Sequence, residues 1–296
     1  MPHGQAHAIS TSVPGATNAP IATTSSAARR RELIGALAAE PGWNLYLTQR
    51  HYIATPVDDP WLVEGLRRRL DASCALLDAW FGAPESAEQV PSLVRVYPSR
   101  AAYQSTRTPA GSTGVWISAE NTLALFDGGD AIARAATTWG TLQHMLVHEY
   151  LDRRVGLEAV PPWLLFGLGG YFEALQLSGE GTLIPASDDT RWNQLREVTA
   201  GEGPPPLARL LTFDRDEFLG RNEFGSSAWR NLVLASALVD YLHEEGAAGR
   251  PGEGLLEEAL AALVRGETPS APRNEELRAL EAAWRRWITA RTGRAL

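Results

Sequence analysis

Residues 141–173, TLQHMLVHEYLDRRVGLEAVPPWLLFGLGGYFE, decide how this sequence is read. The first half sets His144, His148, Glu149 and Asp152 into an apolar, helix-like run. Positions i and i+4 share a helix face, so His148 and Asp152 project side by side, with Glu149 next to that face. Gly156 stops the helix as a C′ glycine. The second half opens on Pro161-Pro162-Trp163 and continues as a second apolar helix to about residue 177.

His148-Glu149-Tyr150-Leu151-Asp152 is an H-E-x-x-D string. In an H-E-x-x-H helix two histidines hold Zn²⁺ and the glutamate acts as general base on the metal-bound water, with a third protein ligand from elsewhere in the fold. Aspartate also ligates zinc, so His148 and Asp152 form a two-point site with Glu149 in the position of the base. His144 and His148 offer a weaker alternative pair, one turn earlier, with Met145 in the place of the base. His144 and Asp152 lie about 12 Å apart along the axis and do not share one ion. Against these stands a metal-free reading, in which His148 and Asp152 form a hydrogen-bonded or charge-assisted pair.

Outward from this stretch, residues 26–40 read as a helix stopped by Pro41-Gly42. The alternating residues 43–55 suit one half-buried strand. His51 within it has no second ligand-type residue at strand spacing and reads as a surface or hydrogen-bonded histidine. Residues 58–81 form an amphipathic helix with Leu62, Leu66, Leu70, Cys74, Leu77 and Phe81 on one stripe. A strand at 90–97, a helical turn carrying Tyr103 inward, and a hairpin of 114–117 with 122–126 across a Ser-Ala-Glu-Asn tip follow. One long helix over 131–155 then carries the histidines. Beyond 177 the pattern is helical throughout: 187–199 with Ser187 and Asp188 as cap candidates, 207–211, 214–219, 226–245 with Ser226-Ser227 as N-cap, 254–265 and 274–291. Gly169-Gly170 lowers helix propensity and permits close approach of another helix or of a peptide.

Composition bounds the function. A formal charge of −8 over 296 residues argues against nucleic acid as a main partner. The runs Arg29-Arg30-Arg31 and Arg67-Arg68-Arg69 read as solvated faces. Cys74 is the only cysteine, which removes intrachain disulfides and cysteine metal clusters. No stretch approaches the roughly 20 apolar residues of a membrane span. The N-terminus lacks the basic and apolar regions of a signal peptide and is expected to be disordered. A soluble chain is expected, cytoplasmic as written and exported if the true N-terminus lies upstream. The ten tryptophans read as core anchors rather than a ligand cage.

With these motifs in place, the sequence resembles the peptidase MA-like gluzincins, in particular a bacterial family of unknown function. That family pairs an H-E-x-x-H helix with a W-L-x-E-G-x-A-x-Y-F helix. Trp163, Leu164, Gly167, Tyr171 and Phe172 match the second motif. The segments VYPSRAAY, PLARLLTFDRDEF and AWRNLVLASALVDYL extend the likeness over roughly residues 43–290. The resemblance implies an α+β, zincin-like, two-lobed architecture. It divides into a tail at 1–27, an N-terminal lobe at 28–177 with a mixed sheet and the active-site-type helix, and an α-helical C-terminal lobe at 178–296. It also implies that His148 is a first metal ligand and Glu149 the general base. Asp152 stands in place of the second histidine and Phe166 in place of the third-ligand glutamate. Glu173, about two turns further on, is a poor substitute, and Glu158 in the connecting loop is an alternative that spacing does not support. Two expectations follow. The first is a degenerate, metal-free metallopeptidase-like protein without cofactor that binds a peptide or protein, or serves as a structural domain, through the former cleft lined by Trp163, Phe166, Gly167 and Tyr171. The second is a zinc hydrolase with a divergent H-E-x-x-D site. Oligomeric state is left open by both.

Overall fold

The structure, a computed structural model, describes residues 26–38, 40–82, 90–106, 108, 112–186, 190–200, 204–220, 228–244 and 249–293. The chain forms two compact units. The first holds the described residues up to Tyr150 together with Gln176–Ile184, and the second holds Leu151–Leu175 and the described residues from Pro185 onward.

In the first unit, α1 (Ser26–Ala38) leads into β1 (Asn44–Leu47) and β2 (His51–Thr55). The single strand expected over 43–55 is therefore a hairpin. The Thr48 hydroxyl makes the turn, accepting from Arg50 N at 3.3 Å and His51 N at 2.9 Å, while Thr48 N donates to His51 O at 2.9 Å. A side-chain oxygen that mimics a backbone turn needs neither Gly nor Pro, so the alternation runs on through it unbroken. α2 (Pro60–Phe81) is capped by Asp59, which accepts from Trp61 N at 2.9 Å. Its six stripe residues are all buried, each contributing about 1.5–3 kcal/mol.

β3 (Ser92–Tyr97), α3 (Arg100–Gln104), β4 (Gly114–Ile117) and β5 (Thr122–Phe126) complete a mixed five-stranded sheet of order β1-β2-β3-β5-β4. β2, β3 and β5 run parallel, and β1 and β4 are antiparallel edges. The register sorts the sheet into two faces, because side chains alternate along each strand. Tyr52, Ala54 and Leu93 pack with Leu33 and Leu37 of α1, and Val115, Ala124 and Phe126 pack around Tyr103 of α3. The opposite face presents His51, Ile53, Ser92, Val94, Val96, Leu123 and Leu125, all buried. There β2, α2 and β3 form a parallel crossover, and the helix after β5 lies beside α2.

That helix is not the uniform 131–155 segment the pattern predicts. It begins as α4 (Ala131–Ala133), passes through a π segment at Arg134–Thr138, and continues as α5 (Trp139–Val155). Side chains engage the backbone here. Thr137 Oγ1 donates to Ala133 O at 2.7 Å, and Thr138 Oγ1 accepts from Gly128 N at 2.8 Å. Arg134 is buried and bound to Asp127 through Nε and Nη2 at 2.6 and 2.9 Å, and to Asp59 at 2.6 Å. Such bonds compete with the i→i−4 ladder, and apolar periodicity does not report them. The Asp127 hydrogen bonds are the main reason the Arg134 guanidinium sits well above its ordinary pKa. α5 starts in the first unit and its last residues belong to the second.

The second unit is built on α6 (Pro162–Glu173), which ends four residues earlier than expected. Residues 175–177 form β6 (Leu175–Leu177), paired with β7 (Leu183–Pro185), and all of this hairpin but its two end residues belongs to the first unit. α7 (Thr190–Val198), α8 (Leu207–Thr212), α9 (Arg215–Phe218), α10 (Ala228–His243), α11 (Leu255–Val264) and α12 (Asn274–Thr292) follow. The expected caps Ser187, Asp188, Ser226 and Ser227 lie outside the described residues. Among the described residues, no helix is long and apolar enough to cross a membrane.

α6 and α10 pack backbone to backbone. A Cβ on Gly167 would stand 2.8 Å from Ala235 O, and one on Gly170 would stand 2.9 Å from Ser236 Cβ. Gly167→Ala gains helix propensity of about 1 kcal/mol but drives a methyl into a carbonyl that cannot rotate away. It is expected to lower stability by about 1–3 kcal/mol net, read as a lower urea midpoint at unchanged m-value. An equal or higher midpoint would mean that the helices do not approach this closely.

Candidate functional site

Glu149 is 4% exposed and faces the sheet. Its Oε1 accepts from Ser92 Oγ at 2.5 Å and its Oε2 lies 3.2 Å from His51 Nε2. Ser92 and His51 are themselves buried, and they are register partners at the starts of β3 and β2. Two adjacent parallel strands thus present a hydroxyl and an imidazole side by side, and the α5 carboxylate closes over both. The Nδ1 of His51 is buried and has no hydrogen-bond partner.

Around this triad the packing is tight. Cys74 of α2 is buried, and its thiol is pushed up to about 12, first by burial and then by the Glu149 charge. Arg50 binds Asp78 through both nitrogens at 3.1 and 2.5 Å, and Tyr150 Oη donates to Asp78 Oδ1 and to Gly82 O at 3.1 Å. The His144 and His148 rings, one turn apart on α5, lie with centroids 4.9 Å apart at 49°, both buried.

The remaining candidates belong to the second unit. Asp152 is half-buried, and its Oδ1 accepts from Leu157 N at 3.2 Å, holding the chain where it leaves α5 at Gly156. Phe166 is fully buried and stacks on Phe218 with centroids 5.0 Å apart at 11°, and Phe213 meets Phe218 edge-on at 6.4 Å. Trp163 is buried, and Gly167 lies on α10. Tyr171 packs edge-on to His243 at 5.3 Å, with the Arg191 guanidinium 5.8 Å from its ring. Burial raises the Tyr171 hydroxyl pKa, with the Arg191 charge opposing. Glu158 is exposed and ion-paired with Arg215 at 3.3 Å.

The structure therefore joins His144 to His148 and commits Glu149 to two residues the sequence did not single out as its partners. Ser92 carries no signal in the sequence, and strand spacing marks His51 only as a surface or hydrogen-bonded histidine. The link between them appears once β2 and β3 are paired in register. Among the described residues, no group of three or more His, Cys, Asp or Glu side chains is placed to hold a metal ion. No protein-family model matches this chain, and a search of curated proteins gives no match.

Glu149→Ala leaves the Ser92 hydroxyl and the His51 N–H as buried donors without an acceptor. It is expected to cost about 2–5 kcal/mol of unfolding free energy, whereas Glu149→Gln keeps one carbonyl acceptor and loses less. A Glu149→Ala variant as stable as the parent in urea titration would show that the carboxylate is not held this way. Cys74 gives a second check. At pH 8 the native thiol should react with a disulfide reagent far more slowly than the same thiol in denaturant. Between the ordinary 9.0 and about 12 the native state keeps a proton that the unfolded state has lost, so stability falls as pH rises through that window. Equal reactivity in both states would contradict the burial.

Proposed function

We propose that this chain is a zincin-like protein that has left peptidase chemistry and acts through binding a peptide or protein, or as a structural domain. The use of Glu149 carries the reading. A general base needs a carboxylate oxygen aimed at the attacking water, and here both oxygens are turned into the sheet, onto Ser92 and His51. The two altered positions support it. Asp152 holds the end of α5, and Phe166 fills the second unit's core against Phe218.

The topology supports the zincin-like part. The sheet is mixed, its β4 edge is antiparallel, α2 and α5 lie on one face, and the H-E-x-x-D helix follows β5 directly. The residues present do not fit a three-ligand zinc site, because the third-ligand position is a stacked phenyl ring. Peptide or protein is the partner class in keeping with the resemblance, and the acidic balance of the chain argues against nucleic acid.

Elemental analysis of protein purified from zinc-supplemented medium without chelators tests the reading. Zinc well below one ion per chain is expected, unchanged in His148→Ala. Near-stoichiometric zinc that disappears in His148→Ala would overturn it and favour a hydrolase with a divergent metal site.

A further inference from the structure

The three consecutive arginines of α2 read in sequence as one solvated run, and the structure divides them. Arg67 is exposed and paired with Glu64 at 2.8 Å. Arg68 Nη2 donates weakly to the carbonyls of Ser178 and Gly179, at 3.4 and 3.5 Å. Arg69 lies over Trp139, with its guanidinium carbon 4.4 Å from the ring centroid. Its Nε is buried with no hydrogen-bond acceptor, and it forms no ion pair with any described residue. Arg50, Arg95 and Arg134 of the same unit do have a carboxylate: Arg50 with Asp78, Arg95 with Glu40, Arg134 with Asp127 and Asp59. Burial lowers Arg69 to about 10, and the Arg68 charge acts in the same direction, with no carboxylate opposing either.

The arrangement around Arg69 is held in place from two sides. The Trp139 ring lies directly on α2 at Gly65, where a Cβ would stand 2.8 Å from the ring edge. Gly65 and Arg69 are i and i+4, so the ring spans one turn of the helix and supports the guanidinium at its far end. Trp139 is in turn the first residue after the π segment that Arg134 anchors. A planar guanidinium fixed on an aromatic face presents its N–H fork with little entropy left to lose. Arg69 and Trp139 are both partly exposed, so an anion from solvent can reach the guanidinium that lacks a carboxylate.

We propose that Arg69, stacked on Trp139, is the binding site for an oxyanion, a phosphate or carboxylate group carried by a ligand. The bound oxyanion would do for Arg69 what Asp78 does for Arg50. The site is independent of whether the chain hydrolyses anything, and it does not involve Glu149, Asp152 or Phe166.

The full-length chain is titrated with inorganic phosphate and, separately, with acetate, with sodium chloride holding ionic strength constant. The Nε–Hε resonance of Arg69 is followed by NMR and the unfolding temperature is recorded in parallel. A saturable shift of that resonance and a rise in unfolding temperature above the chloride control are expected, both lost in Arg69→Met. A response to phosphate alone identifies a phosphate ligand, and a response to acetate alone a carboxylate. A shift that is linear and equal in chloride, or a response that survives in Arg69→Met, overturns the proposal. Should Arg69→Met fail to fold, saturation of the parent resonance decides by itself.

Discussion

A carboxylate enters a protein interior only when its lone pairs find donors there, because an unpaired buried charge costs several kcal/mol. Glu149 meets that condition with a serine hydroxyl and an imidazole N–H, supplied by two adjacent parallel strands at paired positions. The consequence reaches beyond the triad. Once Glu149 is tied to the starts of β2 and β3, α5 can neither rotate nor slide on the sheet. The directions of His144, His148 and Tyr150 then follow from the helical step of about 100° per residue. Tyr150 reaches Asp78 and the C-cap of α2 because Glu149 sets that rotation.

α6 meets a related constraint without polar groups. Residues 163–169 are buried on every side, and a helix of that kind has no face to give to solvent. Phe166 and Gly167 are consecutive and face different neighbours, about 100° apart around it. One fills the space beside Phe218, and the other leaves room for α10. A ligating side chain at 166 would have to displace a ring stack in a core packed at crystal density. The aromatic at this position and the close approach of α10 are therefore parts of one packing solution.

What the sequence disclosed and what it hid divide along physical lines. The α2 stripe, the 114–126 hairpin, the inward Tyr103 and the Gly156 stop were legible because each rests on local periodicity or on a residue of special conformation. The Thr48 turn was hidden because a hydroxyl replaced the usual Gly or Pro. The π segment was hidden because its side-chain bonds reach outside the helix, to Asp59, Asp127 and Phe126 O, which apolar periodicity does not report. At the site, the spacing of His144, His148 and Asp152 was readable, as spacing along one helix always is. The commitment of Glu149 was not, since His51 lies 98 residues away and Ser92 lies 57 away. Only strand register brings those two together.

The same limit explains why the arginine run was misread as one feature. Successive residues of an α-helix point about 100° apart, so three in a row sweep about 200° and cannot share an environment on a helix that is buried along one side. On α2 the stripe through Leu66 and Leu70 fixes which way the helix faces. Arg67 is thereby carried to solvent, Arg68 to the β6–β7 turn and Arg69 onto Trp139. A charge run on an amphipathic helix is therefore informative mainly at the residues nearest the apolar stripe. There burial removes water from a cation, and the presence or absence of a carboxylate becomes a statement about what the cation is for.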